Sequence, residues 1–433
     1  MLNSAYILTF GCQMNQYDSE VLESILAGNG CLITDMPDSA DLIVVNTCSV
    51  RQKAESRAMA HIAGLAALKK KNPLLIVIVA GCMAKRAGQE IIDKIPGVDY
   101  VVGPDYLPEI PEIIKSANNR QVYIDEKAKL PGLASRGGKR NVNAYLAITR
   151  GCENYCSYCI VPYVRGSLRS KPVDNIIAEM KMLVERGAID ITLLGQNVNS
   201  YNDNNLNFPK LLNKLAPYAP PRLRFLTSHP KDFSDELIGC FNNNINLCES
   251  LHLPLQSGSD KILKAMNRGY DTAHYLDSIT KLKKAVPDIT LSTDLIVGYP
   301  GETEADFQQT ISIVKEIEYD SAFMFRYSVR PGTKAAELAD DIPEPEKIDR
   351  LSRLIELQQK ISESRNARWN NQSLEILIDS HSRRKPIMPK GKTRGGQSVL
   401  ITDKPDLKTG DMIFAKVALS KAKTLFASFE KFA

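Results

Sequence analysis

Three times within its first 84 residues the chain runs through a short apolar stretch and then sets down a cysteine. Ala5–Phe10 leads to Gly11-Cys12, Asp41–Asn46 to Thr47-Cys48, and Leu74–Ala80 to Gly81-Cys82. Helical patterns fill the intervals, notably Asp18–Ala27 and Ala54–Lys70. Short apolar runs alternating with helices predict a parallel sheet with crossover helices. Ligands of such sheets bind beyond the carboxyl ends of the strands, so Cys12, Cys48 and Cys82 are expected on one edge. Convergence of three thiols from distant positions is what a metal site needs. Leu74–Ala84, the longest apolar stretch, reads as a buried strand.

A polar segment from Glu126 to Asn143, containing Pro131, Gly132, Gly137 and Gly138, reads as a linker. Alternation then resumes. Strand candidates are Tyr145–Thr149, Ile189–Leu194, Leu223–Thr227, Ser250–Leu255, Ile289–Val297 and Ala322–Ser328. Helical patterns separate them, among them Val173–Arg186, Leu211–Leu215, Lys261–Met266, Tyr275–Ala285 and Ala305–Ile317. Six β/α units suit an open partial barrel better than a closed one of eight. Polar residues again gather at strand ends, as Gln196 with Asn197, Ser228 with His229, and Gln256 with Ser257. A charged helix runs from Pro343 to about Asn371. The apolar runs Leu374–Ile378, Val399–Ile401 and Met412–Val417 then predict a small antiparallel β barrel or sandwich. The fold class is therefore α/β in three domains, an N-terminal parallel-sheet domain (1–125), a partial (β/α)6 barrel (144–370) and a small C-terminal β barrel (371–433), with a linker (126–143) between the first two.

Nine cysteines, an odd number, argue against a disulfide framework. The N-terminus carries no basic segment followed by an apolar core, and no apolar stretch approaches the roughly 20 residues of a membrane-spanning helix. The expectation is a cytoplasmic chain, with clustered thiols serving as ligands or catalytic groups. Net charge is +5, but from residue 364 onward 14 Lys and Arg stand against 6 Asp and Glu. A basic C-terminal module suggests a polyanionic partner.

The strongest local signal is Gly151-Cys152-Glu153-Asn154-Tyr155-Cys156-Ser157-Tyr158-Cys159. Three thiols at C-x3-C-x2-C spacing can wrap one face of a cuboidal cluster. A 4Fe–4S cluster normally takes four cysteines. With three, one iron keeps an open position for substrate or cofactor, as open zinc sites do. A closed structural zinc site is the alternative, but no neighbouring fourth Cys or His completes a tetrahedron.

This spacing resembles the signature of the radical S-adenosylmethionine enzymes. Thr9–Asn15 (TFGCQMN), Asn46-Thr47-Cys48 and Gly81–Ala84 (GCMA) resemble the N-terminal domain of methylthiotransferases. Arg150–Gly166, Thr227–Asp232 (TSHPKD), His252–Asp260 (HLPLQSGSD), Gly298–Glu304 (GYPGETE) and Arg330–Thr333 (RPGT) resemble the branch acting on tRNA. Lys390–Arg394 (KGKTR) resembles the TRAM domain, a small RNA-binding β barrel. These motifs span nearly the whole chain in order. One departs: Ser167-Leu168-Arg169 stands where Arg-Glu-Arg is expected, which bears on substrate contacts near the cluster loop.

The resemblance implies two 4Fe–4S clusters and S-adenosylmethionine. The cluster on Cys152, Cys156 and Cys159, the catalytic cysteines, would bind S-adenosylmethionine and cleave it to a 5′-deoxyadenosyl radical. The cluster on Cys12, Cys48 and Cys82 would supply sulfur. The implied reaction converts N6-isopentenyladenosine, 3′ of the tRNA anticodon, to its 2-methylthio form. Implied partners are a tRNA anticodon stem-loop and an electron donor such as a flavodoxin or ferredoxin, with the enzyme a monomer and no membrane involved. Alternatives are a methylthiotransferase for threonylcarbamoyl-adenosine or for a ribosomal-protein aspartate, and a non-catalytic iron–sulfur RNA-binding protein. Gln196, Asn197, Gln256 and Asp294 lie where S-adenosylmethionine or adenine is expected, although amides at a barrel mouth can also satisfy loop backbone. His229 reads either as a substrate contact or as a hydrogen-bonded structural residue. Gly298–Glu304 can be read as a turn and helix start. Cys31, Cys240 and Cys248 read as packed thiols.

Overall fold

The structure, a computed structural model, describes residues 3–49, 52–116, 120–126, 141–383 and 387–433. Strands β1 (Ser4–Thr9), β2 (Leu32–Ile33), β3 (Leu42–Thr47), β4 (Ile76–Gly81), β5 (Tyr100–Val102) and β6 (Gln121–Tyr123) form one sheet, ordered β2-β1-β3-β4-β5-β6. Every neighbouring pair is parallel. Alternating side chains feed two cores. Ile43, Val45, Val77 and Val79 pack against α2 (Gln52–Ala66) and α3 (Cys82–Lys94). Leu42, Val44, Ile78 and Ala80 pack against α1 (Gln13–Gly28) and α4 (Ile110–Lys115). Burial on both faces explains why β3 and β4 are continuous apolar runs. Chain order reverses between β1 and β3, which makes their carboxyl ends a topological switch point. The 74–84 stretch is not one strand: Leu74 is exposed, the strand begins at Ile76, and Cys82 already opens α3.

Of the predicted linker, residues 127–140 lie outside the described residues. The next strand, β7 (Asn143–Ala147), starts earlier than expected, and Thr149–Arg150 (β8) leaves it to pair with Arg169–Ser170 (β9). Parallel strands β10 (Asp190–Leu194) and β13 (Arg222–Phe225) continue from β7, with a short antiparallel pair, β11 (Asn202–Asp203) and β12 (Leu206–Asn207), between them in sequence. A second parallel trio follows: β14 (Ser250–His252), β15 (Thr290–Val297) and β16 (Ser321–Arg326). The Leu223–Leu247 bridge joins the two trios into a six-stranded half-barrel. Around it run α5 (Val161–Arg165), α6 (Val173–Glu185), α7 (Phe208–Leu215), α8 (Asp235–Asn243), α9 (Asp260–Ala265), α10 (Thr272–Ala285) and α11 (Glu304–Ile317). The Gly298–Glu304 motif is the entry to α11. There the Glu302 carboxylate accepts from Gly298 N and pairs at 2.7 Å with buried Arg350 of α12 (Glu344–Ala367).

The C-terminal barrel closes in the order β17-β18-β19-β21-β20, with β20 bonded back to β17. Its strands are β17 (Ser373–His381), β18 (Pro389–Thr393), β19 (Ser398–Ile401), β20 (Met412–Lys421) and β21 (Thr424–Phe432). It is not wholly antiparallel, because β19 runs parallel to β21. Arginine docks it on the amino-terminal ends of the half-barrel strands. Arg222, fully buried, reaches Glu375 Oε1 at 2.8 Å and the Lys392 carbonyl at 2.7 Å. Arg224 donates to the carbonyls of Arg394 and Thr393, and Arg394 grips Glu249 with two bonds of 2.9 Å. No described helix is long and apolar enough to cross a membrane.

Candidate metal centre

Each cysteine of the dispersed trio sits where a strand of the first sheet ends. Cys12 caps the start of α1, Cys82 is the first residue of α3, and Cys48 follows β3 directly. Helix N-termini favour anionic sulfur. Gly11 permits the close approach: at φ +123°, a Cβ there would lie 2.5 Å from Cys48 Cβ and 3.2 Å from its Sγ. The motif asparagines brace the turn. Asn15 Nδ2 donates to Asn46 Oδ1 (3.2 Å) and the Thr47 carbonyl (2.9 Å), and Asn46 Nδ2 returns to the Asn15 carbonyl (3.0 Å). A hydrogen bond with Cys48 is the main cause that lowers the Cys12 pKa to about 6; burial opposes it, and the Arg165 charge adds to it. Burial instead raises the Cys82 pKa, against the pull of Arg165.

The contiguous trio lies on a loop pinned from all sides. Cys152 N donates to the Gly166 carbonyl (3.1 Å), Gly151 N to Gln196 Oε1 (2.6 Å), and Ser157 N to the Met266 carbonyl (2.9 Å). Asn267 Nδ2 holds the carbonyls of Asn154 and Tyr155. Arg268, buried, donates to Cys156 Sγ at 3.2 Å and to the Pro254 carbonyl. His229 Nδ1 accepts from Lys231 N, which leaves the ring proton on Nε2, 4.0 Å from Cys156 Sγ. Burial, with Arg268 and Lys231, drops the His229 pKa to about 2 and keeps the ring neutral. Burial beside Cys156 pushes Cys159 up to about 12.

The two trios are neighbours. Ser49, beside Cys48, and Ile160, beside Cys159, line one cleft with Glu55, Arg86, Arg330 and Pro331. Cys82 packs directly with Ile160 and Val164. Arg165 of α5 crosses to the first sheet, donating to Cys82 Sγ (3.1 Å), Asp18 Oδ2 (2.7 Å) and Asn15 Oδ1 (3.1 Å). Arg169, the one residue of Ser167-Leu168-Arg169 that keeps the expected identity, holds Asp105 through two bonds of 3.0 Å and so joins the same two units. Among the described residues no three His, Cys, Asp or Glu side chains converge tightly enough to hold a single metal ion. Thiols serving a cuboidal cluster bind different irons and stand further apart.

The half-barrel mouth is built to receive a polar ligand. Buried Thr149 Oγ1, Asn197 Oδ1, Ser228 Oγ and Gln256 Oε1 have no hydrogen-bond partner among the described residues, and each follows a different strand. Buried polar groups are ordinarily paired, so four orphans around one mouth fit a bound molecule such as S-adenosylmethionine. Thr227 and Gln256 are held at φ +68° and +71°, backbone that branched or bulky residues rarely adopt. Asn197 is otherwise committed, its Nδ2 donating to Asp232 Oδ2 at 2.7 Å. Gln196 gives its Oε1 to the loop backbone, accepting from Gly151 N. Asp294 stands 3.4 Å from His252 Nε2 on the half-exposed face of β15. Arg165, Arg268 and Thr149 escaped sequence reasoning; only their positions flanking the cysteine loop or following a strand could have marked them. Cys31 and Cys240 lie in hydrophobic cores, and Cys248 is buried.

A family model described as Uncharacterized protein family UPF0004 matches residues 4–103, and that of the Radical SAM superfamily matches residues 146–314. A tRNA-2-methylthio-N(6)-dimethylallyladenosine synthase of Thermodesulfovibrio yellowstonii is 43% identical over 424 residues, covering 98% of this chain and 97% of that protein. The synthase of the same name from Clostridium novyi is 46% identical over 407 residues, covering 91% and 89%. Among solved structures, the radical S-adenosylmethionine methyltransferase TsrM of Kitasatospora setae, with cobalamin and a 4Fe–4S cluster bound, superposes with a TM-score of 0.58. It is 13% identical and covers 78% of this chain and 77% of its own, a likeness of fold alone. On the strength of the near full-length relatives, the chain belongs to the family of tRNA-2-methylthio-N(6)-dimethylallyladenosine synthases, within the radical SAM superfamily.

Proposed function

We propose that this enzyme places a methylthio group on C2 of N6-isopentenyladenosine beside the tRNA anticodon, with Cys152, Cys156 and Cys159 holding one 4Fe–4S cluster and Cys12, Cys48 and Cys82 a second. When bound, the first cluster and S-adenosylmethionine supply a 5′-deoxyadenosyl radical that can take hydrogen from an unactivated carbon, and the second supplies sulfur. The observation that carries this reading is the shared cleft, onto which the neighbours of Cys48 and Cys159 both open.

The chain's own residues hold and shield the reacting groups. Gln196 and Asn267 fix the backbone of the Cys152 loop, so its thiols keep their places without the cluster's help. Arg268 and neutral His229 turn N–H groups toward Cys156. Thr149, Ser228 and Gln256 offer unpaired oxygens to the amino group and ribose hydroxyls of S-adenosylmethionine. Asp294 and His252 offer a polar edge on the open face of the half-barrel. Anticodon-loop bases can be splayed into such a cleft, because single-stranded bases are free to leave the stack. On the C-terminal barrel the Arg394 side chain is engaged in docking, so exposed Lys408, Lys416, Lys421, Lys423 and Lys431 are the better phosphate contacts. A one-electron donor such as a flavodoxin or ferredoxin supplies the reducing equivalent to a monomeric, cytoplasmic enzyme.

Mass spectrometry of tRNA nucleosides from a deletion strain, with and without this gene restored, tests the substrate. The 2-methylthio-isopentenyladenosine peak should vanish on deletion and return on complementation. An unchanged peak, or loss of a methylthio-threonylcarbamoyl nucleoside instead, would refute the assignment.

A further inference from the structure

Behind the dispersed trio lies a buried line of charge that neither the cysteine motifs nor the reaction accounts for. Asp18 of α1 is fully buried and is paired on both sides. Arg165 donates to its Oδ2 at 2.7 Å, and Arg150 pairs with its Oδ1. Arg150 stands two residues before Cys152, whereas Arg165 also donates to Cys82 Sγ at 3.1 Å. A continuous chain of side chains, Cys82–Arg165–Asp18–Arg150, thus runs from one cysteine trio to the loop of the other. Two guanidinium cations against one carboxylate leave the triad at +1, with its cationic end on a thiol.

We propose that the Arg150–Asp18–Arg165 triad sets the reduction potential of a cluster held by Cys12, Cys48 and Cys82 and fixes its place against the Cys152 loop. This rests on the assignment of that trio as a cluster site. Hydrogen bonds to ligand sulfur and nearby net charge are what tune iron–sulfur potentials. Reduction adds one negative charge to the cluster, and a buried +1 beside Cys82 stabilises that state more than the oxidised one. Because Asp18, Arg150 and Arg165 are themselves buried, their charge acts with little screening. Arg165 is a positioning residue here: it touches the ligand thiol, not the substrate.

The sign of the effect separates this from a purely structural brace. Arg165→Gln takes the triad from +1 to zero; Asp18→Asn takes it to +2. Both are measured in the full chain with Cys152, Cys156 and Cys159 replaced by Ala, reconstituted anaerobically with iron and sulfide so that one cluster remains. The readout is an EPR-monitored redox titration, with iron content determined alongside. Arg165→Gln should disfavour the reduced form about tenfold, a fall of about 59 mV for a one-electron couple, and Asp18→Asn should shift it the opposite way. Arg165→Lys, which keeps the charge but not the fork, should fall between wild type and Arg165→Gln. Should Arg165→Gln fail to hold iron, Arg165→Lys and Asp18→Asn still decide the sign. An intact cluster whose potential is the same in all variants, or moves one way in all of them, would overturn the inference alone. A parent protein that binds no iron would overturn the cluster assignment and the inference together.

Discussion

A Cβ at position 151 would lie 1.9 Å from the Ser167 carbonyl oxygen, on a backbone already at φ +76°. Only glycine can stand there, and it hands the chain directly to Cys152. The left-handed backbone alone costs an alanine about 1–2 kcal/mol, and the contact with Ser167 must add to that or push the loop aside. Gly151→Ala should therefore lower stability to urea by about 2 kcal/mol or more and release iron from the contiguous trio. A variant with wild-type stability and full iron would mean the loop has other conformations available. At this scale the sequence is unevenly legible. The C-x3-C-x2-C spacing declares itself because its three ligands share one short loop. Arg268 on Cys156 and Arg165 on Cys82 do not, since each hydrogen bond joins residues 112 and 83 positions apart. Gln196 was legible as a polar group at a strand end, but whether it faced ligand or backbone depended on where Gly151 N came to rest.

Among the elements, long apolar strands were readable and several short ones were not. β3 and β4 announce themselves as buried runs, as strands covered on both faces do. β5, β6 and β18 have three to five residues each, and β18 (PKGKT) has almost no apolar side chain. Such strands are specified by their neighbours rather than by their own pattern. The KGKTR motif shows a further limit. Its resemblance to the TRAM domain implied RNA, yet the Arg394 side chain grips Glu249 while the carbonyls of Lys392 and Thr393 receive Arg222 and Arg224. The docking of this barrel is thus written in arginines of the half-barrel. Arg222→Ala would leave Glu375, about a quarter exposed, without its partner. Breaking a buried pair costs about 3–5 kcal/mol, and the partial exposure of Glu375 places this one near 3. Limited proteolysis should then cut between α12 and β17 before the rest of the chain, while the N-terminal sheet keeps its protection. An unchanged digestion pattern would show that apolar contacts alone hold the barrel.

For the molecule as a whole, the order of units was legible from alternation, and their mutual placement was not. The switch point between β1 and β3 explains why Cys12, Cys48 and Cys82 can meet. That this edge faces the Cys152 loop follows only from the crossing side chains Arg150, Arg165 and Arg169, a set of interdomain ion pairs with no periodic signature in sequence. Two clusters on two trios, opening on one cleft, make iron content the most direct test. Iron and sulfide should be counted in anaerobically reconstituted wild type, Cys48→Ala and Cys152→Ala. The expected result is about eight irons per wild-type chain and about four in each variant, with S-adenosylmethionine cleavage lost in Cys152→Ala and retained in Cys48→Ala. About four irons in the wild type, unchanged by Cys48→Ala, would contradict it.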